Sequence, residues 1–300
     1  MYYTGFADEA ARDIDTQIRA TRELGWKHIE SRAVDGINIT DVSDEAFDRI
    51  AERLRASGVS ISCFGSAVAN WGKDPRKQED FDRSVAELSR ALPRMKKVGC
   101  GMIRGMSFTR VRDQRPDAPE IEREVFRKLT VLVRMCEEAG VLYLHENCAN
   151  YGGLSYEHTL KLLDAITSKS FALVYDTGNP ATTFDHRGPQ PYKLQSSWEF
   201  YRNVKPFIRS VHIKDGTFLR ATDGVFAEAR YTWPGEGNGD VRRIVADLLA
   251  GGYDGGFSIE PHMAAVFHDP SKQSPQDAAY WTYVEYGKRF MKLVEECREE

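Results

Sequence analysis

The sequence predicts an α/β fold: a single (β/α)8 TIM barrel, one domain over residues 1–300. Three observations carry this. A unit of amphipathic helix, glycine and short apolar strand recurs along the chain. Eight strand candidates alternate with helices. No linker-like segment divides the sequence, and the longest irregular stretches, 179–197 and 216–240, follow strands as active-site loops do.

The repeating unit reads Glu23-Leu-Gly-Trp-Lys-His-Ile-Glu30, then Ala56-Ser-Gly-Val-Ser-Ile-Ser-Cys-Phe-Gly65, then Lys97-Val-Gly-Cys-Gly-Met-Ile-Arg-Gly105. Glu138-Ala-Gly-Val-Leu-Tyr-Leu-His-Glu146 and Gly251-Gly-Tyr-Asp-Gly-Gly-Phe-Ser-Ile-Glu260 continue it. Each glycine suits the left-handed residue past a helix end. Gly25, Gly58, Gly99 and Gly140 are 33, 41 and 41 residues apart, the length of one βα unit with its loop. The strands expected are Tyr2–Phe6, His28–Glu30, Ser60–Phe64, Met102–Ser107, Leu142–Glu146, Phe171–Asp176, Ser210–His212 and Phe257–Glu260. Asp117 with Glu120 reads as a capping box, Asp240 as a helix start, and Ser274-Pro275 as the opening of the last helix. Pro93 is expected to kink or shorten the third helix. A doubly wound open sheet competes with the barrel, but no Gly-x-Gly-x-x-Gly follows the first strand.

Composition narrows the function. With 41 Lys+Arg against 45 Asp+Glu the net charge is −4, and no basic block is present. Nucleic-acid binding through phosphate neutralisation is therefore not expected. No apolar run reaches the roughly 20 residues of a membrane helix, and the N-terminus lacks a secretory pattern. The five cysteines, Cys63, Cys100, Cys136, Cys148 and Cys297, are odd in number, widely spaced and without Cys-x-x-Cys. They point to a reducing cytoplasm rather than a disulfide framework, with Cys63, Cys100 and Cys136 as core residues.

The strand ends carry the chemistry. In a parallel barrel, functional groups sit at the C-terminal ends of strands. Four successive strands here end on Glu146, Asp176, His212 and Glu260, each closing a largely apolar run. A charge in that position must be paired or bound to a cation. Three carboxylates and one imidazole suit one Mn²⁺, Mg²⁺, Co²⁺ or Zn²⁺ ion. One such residue alone would read as a cap or a core histidine; the case rests on four together.

The runs His145-Glu-Asn147, Val174-Tyr-Asp-Thr-Gly-Asn179, Val211-His-Ile-Lys-Asp215, Gly235-Glu-Gly-Asn-Gly-Asp240 and Ser258-Ile-Glu260 resemble the xylose-isomerase-like barrel superfamily. Within it they resemble the sugar (phosphate) isomerase/epimerase branch, related to tagatose/psicose epimerases and inosose-processing enzymes. The resemblance covers essentially the whole chain and implies one divalent cation held by Glu146, Asp176, His212 and Glu260. It also implies that Glu146 and Glu260 are the catalytic acid/base pair. The expected function is isomerisation or epimerisation of a small carbohydrate or cyclitol, by proton transfer through a metal-stabilised enediolate. The same pair can expel a β-hydroxyl, so a dehydratase or lyase of inosose or dehydroshikimate type is the alternative. A barrel that binds sugar without turnover is the third.

Further substrate-binding candidates are Lys214, Asn179, Asn147, Glu236, Trp71 and Arg104. Lys214 reads either as a substrate contact or as a surface partner of Asp215. Asn179 stands where several relatives carry a substrate-contacting histidine. Asn147 and Asn150 could bind hydroxyls or shape a turn. The Gly235–Asp240 loop could offer backbone N–H groups to a phosphate. Phe6, Phe64, Trp71 and Trp233 are candidates for an aromatic wall. Arg104, inside a strand, must be paired or aimed at substrate. Three-zinc endonuclease relatives need extra histidines, absent at the ends of strands three and four and at Asn179. The sugar, its phosphorylation, the metal and the oligomeric state, a homo-oligomer included, stay open.

Overall fold

A computed structural model describes residues 1–264 and 275–299. Eight parallel strands build the barrel: β1 (Tyr2–Gly5), β2 (His28–Ser31), β3 (Ser60–Gly65), β4 (Met102–Gly105), β5 (Leu142–Glu146), β6 (Phe171–Asp176), β7 (Ile208–Ile213) and β8 (Gly256–Ile259). Their order in the sheet is β1-β8-β7-β6-β5-β4-β3-β2. A parallel bridge between Phe6 and Glu30 brings β2 back to β1 and closes the ring. The strands match those expected from sequence to within two residues at each end. β4 ends at Gly105, before Ser107.

The longer helices are α1 (Ile14–Glu23), α2 (Asp44–Ser57), α3 (Gln78–Val98), α4 (Pro119–Glu138), α5 (Tyr156–Ala165), α6 (Ser197–Val204), α7 (Val241–Ala250) and α8 (Gln276–Glu299). Gly58 and Gly99 close α2 and α3 with φ of 71° and 68°, where a side chain would be strained. Some expected signals act differently. The residue before α4 is Ala118, without a side-chain cap, and Asp117 instead binds Arg115. Asp240 before α7 has φ 51° and accepts the Trp198 N–H rather than capping its own helix. α3 is not shortened and runs through Pro93. Ser274 lies outside the described residues, and α8 begins directly after Pro275.

Strand alternation sorts side chains into two layers. Outward residues such as Ile103, Tyr143, Tyr175, Val211 and Phe257 pack under the helices. Inside the barrel, Cys63, Leu144, Ala172 and Val174 form a small apolar plug. The next inward residues along the same strands, Glu146 and Asp176, stand above it. All five cysteines are free and buried. No described helix is long and apolar enough to cross a membrane.

His145 points outward from β5 and is fully buried; its Nε2 lies 2.9 Å from Ser107 Oγ. Burial pushes its pKa down to about 4 from 6.5. The unfolded chain binds this proton below about 6.5 and the folded chain only near 4. Stability is therefore lost as pH falls through that window, by about 2 kcal/mol at pH ~4.5. Denaturant titrations at neutral pH and at pH ~4.5 should show a smaller acid loss in His145→Gln. An equal loss in both proteins would disprove the assignment.

Candidate metal centre

The inward ends of β5 to β8 bring the four expected residues together. Donor atoms of Glu146, Asp176, His212 and Glu260 lie within 4.8 Å of one another, and all four residues are buried. Opposite ligands across an octahedral ion with bonds of about 2.1 Å are about 4.2 Å apart, so the cluster has the size for one cation. Register places them: Asp176 pairs with His212, and His212 with Ser258, two residues before Glu260.

Two buried atoms in the cluster lack hydrogen-bond partners: Asp176 Oδ2 and His212 Nδ1. Asp176 Oδ1 is already used, accepting the N–H groups of Gly178 at 2.9 Å and Asn179 at 2.7 Å. Lys214 Nζ is 2.9 Å from Asp176 Oδ2, but off the line of a hydrogen bond. His212 Nδ1 is 3.8 Å from Glu146 Oε1, too long for one. Its other nitrogen, Nε2, lies 3.1 Å from Glu30 Oε2. A histidine that meets a carboxylate through one nitrogen and offers the other inward is arranged as metal-binding histidines are. The donor set and the two atoms without hydrogen bonds fit a divalent cation.

Cations hold the carboxylates apart. Arg104 donates to Glu146 Oε2 at 3.1 Å, and Asn179 donates to Glu146 Oε1 at 3.2 Å. Lys214 donates to Glu260 Oε2 at 2.8 Å, and Arg32 to Glu260 Oε1 at 2.8 Å. Arg32 also binds Asp8 and Glu9, and Glu9 meets His262 Nδ1 at 2.8 Å. Phe6 lies beneath, with the Arg32 guanidinium 4.3 Å and the Arg104 guanidinium 5.1 Å from its ring centre.

These partners set the titration. Burial raises Glu146, but Arg104 and His212 outweigh it and hold the carboxyl at about 2. Burial lifts Asp176 to about 7 against the pull of Lys214. Burial lowers His212, yet the Glu30 and Glu146 carboxylates push it up to about 10. Glu260 is depressed well below the usual range; burial opposes this, and Lys214, His262 and Arg32 cause it.

The other expected residues divide. Lys214 is buried in the cluster and is no surface partner of Asp215. Asp215 instead accepts the N–H groups of Gly216, Gly235, Gly237 and Gly239 at 2.8–3.0 Å. Those glycine amides are therefore occupied, which corrects the phosphate-cradle expectation. Glu236 is exposed, 3.6 Å from Arg289, and lies away from the centre. Asn147 is a backbone staple: it donates to Asp176 O at 3.0 Å and accepts the Asp176 N–H at 2.7 Å. Asn150 likewise binds Glu146 O and the Gly153 N–H. Trp71 lines the cavity near-perpendicular to Phe226, whereas Phe64 packs on Phe47 and Trp233 on Tyr286.

Sequence reasoning missed Glu30, Arg32, Glu9 and His262. Glu30 had a signal, since it too closes a short strand. Glu9 and His262 had none, since their contact joins loops 253 residues apart. The space left at the centre is about 20 Å³, room for an ion or one water. A larger depression of about 920 Å³ lies on the outer helices beside Trp198 and Arg243 and holds none of the clustered donors.

The fold and the cluster define a (β/α)8 barrel with a candidate cation centre at the C-terminal ends of its strands. The chain belongs to the xylose isomerase-like TIM barrel family, whose model matches residues 18–283. No curated protein matches the sequence significantly. Solved structures share the fold at low identity. D-psicose 3-epimerase with D-tagatose from Clostridium cellulolyticum H10 is 11% identical, with a TM-score of 0.67 over 99% of each chain. The probable 3-DHS dehydratase AsbF from Bacillus anthracis is 12% identical, TM-score 0.67, over 97% of this chain and 99% of that one. A xylose isomerase-like TIM barrel protein from Mycobacterium smegmatis in complex with magnesium is 17% identical, TM-score 0.66, over 94% and 88%.

Calorimetric titration with Mn²⁺ is expected to give one ion per chain and a higher melting temperature. Asp176→Asn should remove that binding. Glu30→Gln should weaken it about 10- to 100-fold by releasing His212; unchanged affinity would exclude an orienting role for Glu30.

Proposed function

We propose that the protein is a divalent-metal-dependent isomerase or epimerase of a small carbohydrate or cyclitol. The observation that carries this is the convergence of Glu146, Asp176, His212 and Glu260, with Asp176 Oδ2 and His212 Nδ1 making no hydrogen bond. A bound cation would supply Lewis acidity toward a substrate carbonyl. Glu146 and Glu260 come from β5 and the end of β8, so they approach from different sides of the barrel mouth. One takes a proton from the carbon beside the carbonyl and the other returns it. Arg104 and Arg32 keep the two carboxylates charged between these transfers. Tyr231, Phe226 and Trp71 border the cavity and exclude water from the exchange. A sugar is larger than the present space, so the hairpin of Gly216–Arg220 and Glu228–Tyr231 must move aside to admit it.

Dehydration is the second reading, and Lys214 favours it. Its buried ammonium, 2.8 Å from Glu260, is placed to protonate a departing hydroxyl. Binding without turnover is disfavoured, because burying this many carboxylates is costly and a simple sugar site does not need them.

Glu146→Gln and Glu260→Gln should each lower turnover by about 10²- to 10⁴-fold with the fold intact. Unchanged turnover in either sinks the mechanism. Proton NMR in heavy water separates the readings: deuterium gained at carbon without loss of water marks epimerisation, and loss of water marks dehydration.

A further inference from the structure

A groove of about 390 Å³ beside the candidate centre is lined by Arg110, Arg112, Phe184, His186 and Tyr192, from the loops after β4 and β6, with Asp113 and Arg115, each in an ion pair, at its edge. Other arginines on these and the neighbouring loop after β3 are matched by carboxylates. Arg76 binds Asp74 and Asp113, Arg115 binds Asp117, and Arg187 binds Asp185 and Glu199. Arg110 and Arg112 differ. Among the described residues neither forms an ion pair. Arg110 is half-buried, and its side-chain polar contacts among the described residues are His186 Nε2 at 3.3 Å and Val225 O at 3.4 Å. Burial and the neighbouring Arg112 lower its affinity for a proton.

A half-buried guanidinium without a counter-charge is costly. Its planar fork of donors matches the oxygens of phosphate or carboxylate. His186 adds to the imbalance. A guanidinium can only donate, so the His186 Nε2 facing it accepts, and the ring proton sits on Nδ1. That Nδ1 is buried without a partner.

The groove shares its wall with the cavity of the centre. Thr182 and Thr183 line the cavity, while Phe184 and His186, next along the same segment, line the groove. The turn at Val225 and Phe226 serves both: Val225 O accepts from Arg110, and Phe226 lines the cavity against Trp71.

We infer that this groove is an anion subsite, where Arg110 and Arg112 hold a phosphate ester or carboxylate at the far end of a substrate whose carbonyl end lies among Glu146, Asp176, His212 and Glu260. The link to the carbonyl end rests on the function proposed above; the anion site does not. The side chains that make it come from loops and leave the barrel unchanged.

The test begins with inorganic phosphate titrated into the wild type and the Arg110→Gln/Arg112→Gln double variant, with melting temperatures measured in parallel. Phosphate affinity should fall by about tenfold or more in the double variant at an unchanged melting temperature. Equal affinity in both proteins overturns the subsite. D-fructose, D-tagatose and D-ribulose are then each compared with their terminal phosphates. The phosphates should bind about tenfold more tightly, and the double variant should erase the difference. No preference across all three pairs overturns the link to the substrate. If phosphate binding depends on the two arginines but no sugar is turned over, the proposed reaction fails and the subsite stands.

Discussion

A carboxylate buried at the mouth of a barrel is tolerated only with positive charge against it. The rest of this centre follows from that constraint. Asp8, Glu9, Glu30, Glu146, Asp176 and Glu260 gather there with the permanent cations Arg32, Arg104 and Lys214 and the imidazoles His212 and His262. Each cation touches an acid that would otherwise repel its neighbours. Six acids against three permanent cations and the His212 imidazole, which Glu30 and Glu146 hold protonated, still leave an excess of negative charge, the electrostatic setting a divalent ion requires. The same pairings explain why Glu146 and Glu260 stay ionised while Asp176, with fewer donors on its inner oxygen, is lifted by burial.

Strand periodicity made the core of this legible. Alternation directs every second residue inward, so a charge that closes an apolar strand must lie at the mouth. Glu146, Asp176, His212 and Glu260 could be read on that ground alone, before any contact was known. Glu30 obeys the same rule on β2, outside the run of four consecutive strands whose ends carry the cation reading. Arg32 follows it too, two residues on and one step beyond the strand. Asp8 and Glu9 stand on a single 3-10 turn and His262 on irregular backbone at φ 54°, where no strand period exists to read.

Residues with several equivalent roles were the least legible. An amide such as Asn147 serves a hydroxyl or a backbone equally well, and only the register of β5 with β6 sends it to the Asp176 peptide. Lys214 and Asp215 are adjacent, so a local pair looked natural; the strand end turns one into the barrel and the other toward four glycine amides. The glycine-rich loop therefore owes its shape to an internal carboxylate rather than to a ligand.

Closure of the ring has a consequence for how the protein is made. β1 pairs with β8, and Arg32 reaches Glu260 across 228 residues of sequence. Such contacts have high contact order and form late. During vectorial synthesis, β1 and β7 each keep an open edge until the chain has passed Ile259. The nascent protein is then an incomplete sheet with Arg32 and Lys214 lacking Glu260, a form exposed to edge-to-edge pairing with its neighbours on a polysome. Glu260 lies one step beyond the strand that closes the ring, so the site and the barrel become whole in one event.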